Sequence, residues 1–366
     1  MSAPAPLLRP RLDIDLAAIA ANWRELARRA APADCAAVVK ADAYGLGLAP
    51  VARALAAAGC TTFFVARPEE GVALRAILKE ARILVLDGLA GRPPAAFLEA
   101  GLEPVVGSLA ELRAWRAARA RAGLGEEIVL LIDTGLTRLG LDPAELEALE
   151  PAERAAVGLV LSHLACADEP DHPMNRRQLE RFRAALALLP RARASLAASS
   201  GIFLGEAFRF DLVRPGAALY GVAPTPGRGN PMRPVLRLTA PVLRVHEVGE
   251  PGAVGYGASF STRAGMRIAV LPVGYADGYP RAAGGRARAL VAGCEVPVVG
   301  RVSMDLLTLE VSALPAERVG PGTPVELLGE RFGVDDLAEA AGTIGYEILT
   351  RLGRRFERRY LGGQEG

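Results

Sequence analysis

The stretch CAAVVKADAYGLG, Cys35–Gly47, decides the fold. Its first five residues are continuously apolar, as a strand buried on both faces must be. Gly45 and Gly47 then mark a turn, and Lys40 stands between the two halves. Working outward, seven more short apolar runs follow: Thr62–Ala66, Ile83–Leu86, Glu103–Val106, Ile128–Ile132, Val157–Ser162, Ala194–Ala197 and Phe210–Val213. Helical stretches separate most of them, clearest at Leu48–Ala58, Pro68–Leu78, Ser108–Arg121 and Met174–Leu189. A helix over Asp15–Arg29 precedes the series, with Asp15 as its cap and Leu16, Ile19, Trp23 and Leu26 at helical spacing. Eight strand–helix repeats predict an α/β fold, a closed (β/α)8 TIM-type barrel. The competing open, doubly wound sheet lacks a GxGxxG after its first strand.

The pattern changes at Pro224–Pro234, PTPGRGNPMRP, whose density of Pro and Gly reads as a linker or long loop. Strand-like runs follow at short spacing: Val235–Val248, Arg267–Val273, Ala287–Val291, Val296–Val299, Leu306–Val311 and Pro324–Leu328. Two short helical stretches, Asp335–Ala341 and Tyr346–Leu352, lie near the end. The expected organisation is a barrel over residues 11–234 and a mostly β C-terminal domain over 235–366. The N-terminal segment 1–15, around Leu12–Ile14, is open to two placements, in the barrel or packed on the β domain.

Composition narrows the function. The chain has 366 residues and a net charge of +2, with no basic block, so a nucleic-acid partner has no electrostatic footprint. Its apolar runs are too short to span a bilayer, and its N-terminus lacks the pattern of a secretory signal. Four scattered Cys predict neither a disulfide framework nor a zinc site, but a reducing cytoplasm. Of the 43 Lys and Arg residues, Lys accounts for two, Lys40 and Lys79. A Lys retained in so Arg-rich a chain is a candidate for chemistry closed to Arg, since Arg stays protonated and Lys can form a Schiff base.

Active sites of barrels lie at the C-terminal ends of the strands. There the sequence places Lys40 after the first strand, Arg138 after the fifth, His163 at the end of the sixth, Ser199 and Ser200 after the seventh, and Arg214 with Gly216 after the eighth. Each has a bland reading: a satisfied core His, an Arg paired on the surface, a Ser-Ser-Gly turn. Together they suit a phosphate held by loops seven and eight and a Lys that anchors a cofactor, which points to pyridoxal phosphate with Arg214 as partner of its ring nitrogen.

The motif VVKADAYGLG, Val38–Gly47, resembles the pyridoxal-phosphate attachment motif of the alanine racemases. DTGLTRLG (Asp133–Gly140), SHLACADE (Ser162–Glu169), AASSG (Ala197–Gly201), VRPGAALYG (Val213–Gly221), VGYGASF (Val254–Phe260), VGYADGYPR (Val273–Arg281), GRVSMD (Gly300–Asp305) and GTIGYEILTRLGRR (Gly342–Arg355) are similar to that family in order and spacing. The resemblance implies a head-to-tail homodimer that interconverts L- and D-alanine, supplying D-alanine for peptidoglycan or catabolising it. It implies that Lys40 carries the cofactor and that the partner subunit's Tyr256 is the second base. Tyr44, Ser199, Gly216 and Tyr346 match phosphate-contacting positions. Arg214 matches the ring-nitrogen partner, and His163 a residue bridging Arg214 and the catalytic Tyr. Arg138 and the partner subunit's Met304 match positions that contact the cofactor's phenolic oxygen or the substrate carboxylate. No metal is implied.

Three departures stand out. Ala198 replaces an Asn common before the phosphate-binding Ser, and Ser303 a Cys common before Met-Asp. Leu131 stands where many members carry a carbamylated Lys that braces the Arg matched by Arg138. Two other readings fit the same architecture: a related enzyme, either a broader amino-acid racemase or a decarboxylase, and a non-catalytic cofactor binder. A decarboxylase pairs the ring nitrogen with a carboxylate, which Arg214 opposes. A cofactor-buffering protein consists of the barrel alone, which the long β-rich stretch opposes.

Overall fold

The computed structural model describes residues 9–363; residues 1–8 of the N-terminal segment lie outside them. The chain divides into two compact units, one spanning Ile19–Arg233 and one combining the residues up to Ala18 with those from Pro234 onward.

In the first unit, seven of the described strands form a parallel sheet in sequence order: Ala37–Val38, Thr62–Val65, Arg82–Val85, Glu103–Val106, Ile128–Leu131, Val157–Leu161 and Arg193–Ser195. Leu212–Val213 supplies the eighth position. It pairs in parallel with Asp34–Cys35 on one side, and on the other Arg214 N–H donates to Ala197 O at 2.9 Å. Ala36 N–H to Val213 O (3.0 Å) and Val38 N–H to Pro215 O (2.9 Å) complete the ring. The result is a (β/α)8 barrel. Phe63, Phe64 and Val65 are fully buried, because helices cover one face of a barrel strand and the packed interior the other. The expected eighth strand, Phe210–Val213, begins two residues late, since Phe210 takes φ +52° and leaves the extended region.

The helices begin where their caps predict. Asp15 Oδ1 accepts from Ala18 N–H at the start of Leu16–Ala30, and Ser108 Oγ accepts from Glu111 N–H at the start of Leu109–Arg121. Pro173–Ala187 follows the sixth strand and buries Gln178, Leu179 and Phe182.

The second unit contains a sheet of nine described strands in the order Arg244–Glu247, Arg267–Leu271, Leu307–Glu310, Cys294–Val299, Arg288–Val291, Pro324–Leu328, Leu236–Pro241, Arg11–Asp15 and Glu357–Leu361. Arg11–Asp15 runs antiparallel to Leu236–Pro241 and parallel to Glu357–Leu361. The unit boundary therefore falls inside the first helix rather than at residue 11. The expected single run Val235–Val248 breaks after Pro241, where the chain changes partner: Val242 N–H bonds Thr323 O and Leu243 N–H bonds Val270 O. A separate hairpin, Gly252–Val254 with Phe260–Thr262, is absent from the sequence-based expectation. Among the described residues no helix is long and apolar enough to cross a membrane.

Candidate active site

The barrel strands deliver their polar residues to one end. Lys40 follows the first strand after one intervening residue, Val39, and opens an unusual turn. Ala41, Asp42, Ala43 and Tyr44 all take φ between +53° and +56°, one turn of left-handed helix, and Gly45 follows at +82°. For L-residues that conformation costs roughly 1–2 kcal/mol per residue, so the turn persists through its contacts. Gly45 N–H bonds Ala41 O, Gly47 N–H bonds Asp42 O, and Leu48 N–H bonds Asp42 Oδ1. Ala41 N–H donates to Glu70 Oε1 at 2.7 Å. Ala43 and Tyr44 are buried beneath it, the Tyr44 ring 4.7 Å from that of Tyr220.

The loops after strands seven and eight meet at Ser199. Its Oγ accepts from Gly216 N–H at 3.0 Å and Ala218 N–H at 3.2 Å. A Cβ on Gly216 would lie 2.3 Å from the Tyr44 hydroxyl oxygen, so glycine is required and the two form one wall. The Ser199 and Tyr44 hydroxyls thus meet at the backbone of Gly216, polar groups of the kind that hold an anion such as phosphate.

Arg214 is buried (5% exposed) and fixed from two strand ends. Nη1 donates to Ser195 O (2.8 Å) and Ser195 Oγ, and Nη2 to Ser162 O (2.6 Å). Among the described residues no acceptor takes its Nε–H, which remains for a ligand. Burial pulls the guanidinium down to about 10, still cationic at neutral pH. His163 is pushed down to about 3, by burial first and then by Arg214, Arg138 and Lys40. Its neutral imidazole relieves a cationic mouth. The Lys40 amine is held below its ordinary value by burial and by Arg138, opposed by the carboxylates of Asp87 and Glu70. Lys40, Arg138, His163 and Arg214 therefore share one field.

Arg138 is exposed on the loop after strand five. Leu131 ends strand five, and the loop beyond it is shaped locally: Asp133 Oδ1 accepts from the N–H groups of Gly135, Leu136 and Thr137. The fully buried Gln178 adds a clamp. Its amide donates to Thr134 Oγ1 (3.1 Å) and His163 O (2.9 Å), and its oxygen accepts from Ala165 N–H (2.8 Å). Thr134 Oγ1 pairs with Ser162 Oγ at 2.8 Å, and Arg181 donates to Thr134 O. Sequence reading passed over Gln178, Thr134, Ser162, Ser195 and Glu70. Polar residues on an apolar helix face or in a buried strand were the available signal.

Tyr256, Met304 and Tyr346 belong to the other unit. Tyr256 sits in a short turn at the tip of the hairpin, between Gly255 (φ +68°) and Gly257 (φ +73°), and is 72% exposed. Met304 is 54% exposed and lies on a loop tied to the next motif: Tyr275 N–H bonds Ser303 O and Ala276 N–H bonds Met304 O. Arg355 holds both segments through Asp277 and Asp305. Among the described residues no group of His, Cys, Asp and Glu is placed to hold a metal ion.

A barrel with a desolvated amine, an anion cradle and a fixed guanidinium at its mouth defines a class: barrel enzymes that tether a phosphorylated aldehyde cofactor. The residues fit that group, because the Gly216–Tyr44 wall admits no larger residue and Arg214 retains a donor. Comparison with known proteins narrows the class. Residues 14–224 match the family model for the alanine racemase N-terminal domain, and residues 235–360 that for the C-terminal domain. The chain is 52% identical over 361 residues to an alanine racemase of Rhodospirillum rubrum, covering 97% of this chain and 96% of that one. It is 49% identical over 360 residues to one of Methylobacterium nodulans, covering 96% of each. A crystal structure of alanine racemase from Bartonella henselae with covalently bound pyridoxal phosphate superposes with a TM-score of 0.91 at 39% identity, covering 98% of this chain and all of that one. The chain belongs to the alanine racemase family.

Proposed function

We propose that this chain interconverts L- and D-alanine with pyridoxal phosphate, using Lys40 and the partner subunit's Tyr256 as bases on opposite faces of the substrate. When bound, the cofactor supplies an electron sink that acidifies the substrate Cα–H. The observation that carries the reading is the Lys40 amine, half-buried and depressed, beside the cradle of Ser199, Gly216 and Tyr44.

The residues act as follows. Neutral Lys40 Nζ takes or returns a proton, which its lowered affinity for protons favours near neutrality. Tyr44, Ser199 and Gly216 would hold the phosphate, and Tyr346 matches a further phosphate-contacting position of the family. Arg214 directs Nε–H at the ring nitrogen and, as a cation, keeps that nitrogen unprotonated. His163, neutral, would bridge Arg214 and the catalytic Tyr. Arg138 and the partner subunit's Met304 bind at the phenolic oxygen or substrate carboxylate.

The working form is a head-to-tail homodimer. Tyr256, Tyr275, Met304, Ile344 and Tyr346 are all exposed in one unit, and they are costly surface to leave in water. Cys35, Cys60, Cys166 and Cys294 are free thiols, which suits a reducing cytoplasm. The product would feed cell-wall synthesis, or the reverse direction would consume D-alanine.

The test is racemisation of L-alanine followed by circular dichroism. The wild type should bring the signal to zero, and Lys40→Ala should be slower by at least about a thousandfold. Normal racemisation by Lys40→Ala would overturn the reading.

A further inference from the structure

We propose that Glu70 is a positioning residue for the cofactor-bearing lysine, acting by clasping the left-handed turn that joins Lys40 to Tyr44. The inference rests on the assignment of those two residues as covalent and phosphate anchors. Glu70 lies on the helix Pro68–Ile77, after the second barrel strand. One carboxylate oxygen accepts from Ala41 N–H at 2.7 Å, the residue immediately after Lys40. The other accepts from Ala66 N–H at 2.8 Å and Arg67 N–H at 3.1 Å. A single side chain thus ties the loop after strand one to the loop after strand two.

The turn needs such a tie. Four consecutive non-glycine residues with positive φ are unstable alone, and the N–H of the first of them, Ala41, finds its acceptor in Glu70 rather than within the turn. The far end is secured by Asp42 Oδ1 on Leu48 N–H and by burial of Ala43 and Tyr44. The near end, next to Lys40, is secured by Glu70. Released there, the turn would relax toward ordinary right-handed geometry and alter the span between the Lys40 amine and the Tyr44 hydroxyl. Both ends of the cofactor would then not be held at once. Gln at position 70 retains one acceptor oxygen and should hold the turn in part; Ala retains none.

The experiment compares wild type, Glu70→Gln, Glu70→Ala and Ser108→Ala as holoenzymes. Ser108 caps another barrel helix and touches none of the site, so it controls for a lost cap. Equilibrium dialysis measures pyridoxal phosphate affinity, and visible circular dichroism per bound cofactor reports its fixed orientation. Glu70→Ala should bind roughly tenfold more weakly with at least half of that ellipticity lost, Glu70→Gln should fall between, and Ser108→Ala should match wild type. If Glu70→Ala does not fold, Glu70→Gln carries the comparison with a smaller shift in the same direction. Glu70 variants that match Ser108→Ala on both measurements overturn the proposal. Wild type that fails to retain pyridoxal phosphate overturns the site assignment beneath it, a different result.

Discussion

The two units prepare their functional side chains in opposite ways. In the barrel, Arg214 and Ser199 are buried and held by several hydrogen bonds each, and Tyr44 is packed under a strained turn. In the β unit, Tyr256 stands in solvent on a glycine-flanked turn and Met304 stands in solvent on a loop. A finished, desolvated site tolerates change poorly because each loss leaves a buried group unpaired. An exposed side chain can be changed with little effect on the fold that presents it. Alterations in the barrel mouth should therefore act on cofactor retention and stability together, and alterations at Tyr256 on rate alone.

The largest effect expected from that contrast is complementation. Lys40→Ala and Tyr256→Phe proteins should each be nearly inactive. Co-expressed, they should regain about a quarter of wild-type activity, since half the dimers are hybrids with one intact site of two. A mixture no more active than its parents would show that each subunit uses its own Tyr256. Taken alone, Tyr256→Phe should lower kcat about a hundredfold or more in both directions while the melting temperature and cofactor content stay at wild-type values. Gly216→Val tests the opposite region. Its side chain would collide with the Tyr44 hydroxyl, and cofactor affinity should fall by at least about tenfold. Gln178→Leu should cost about 1–3 kcal/mol in denaturant unfolding, because Thr134, His163 and Ala165 lose their partner.

The smallest effect concerns pH. His163 titrates at about 3 in the folded chain and near 6.5 when unfolded. Between those values the unfolded state binds the extra proton, so the His163 contribution to stability falls as pH falls from 6.5 toward 3. Urea unfolding at pH 7 and pH 5 should show a shallower loss for His163→Gln than for wild type. An identical loss would mean that His163 is charged in the folded mouth.

The same contrast explains what could be read from the sequence. The barrel was legible because strands buried on both faces are written as unbroken apolar runs, and their ends point to the site. Lys40 was legible through the near-absence of other lysines. The hairpin carrying Tyr256 was not legible as a hairpin, since Gly252–Thr262 is too exposed to show alternation. The eighth strand began late because a single positive φ at Phe210 leaves no compositional trace. Glu70 looked like one more acid beside Glu69 at a helix start. Its reach across to Ala41 depends on a turn whose handedness Ala-Asp-Ala-Tyr does not announce. The support of the Arg138 loop by Gln178 was hidden because its partners Thr134 and His163 lie 44 and 15 residues away in the chain.

The proposed chemistry stands or falls with the cofactor's point of attachment, for which the chain offers two lysines. Borohydride reduction of the holoenzyme, digestion and mass mapping will locate the label. One labelled peptide, containing Lys40, is expected. Label on Lys79, or none on either, would contradict it.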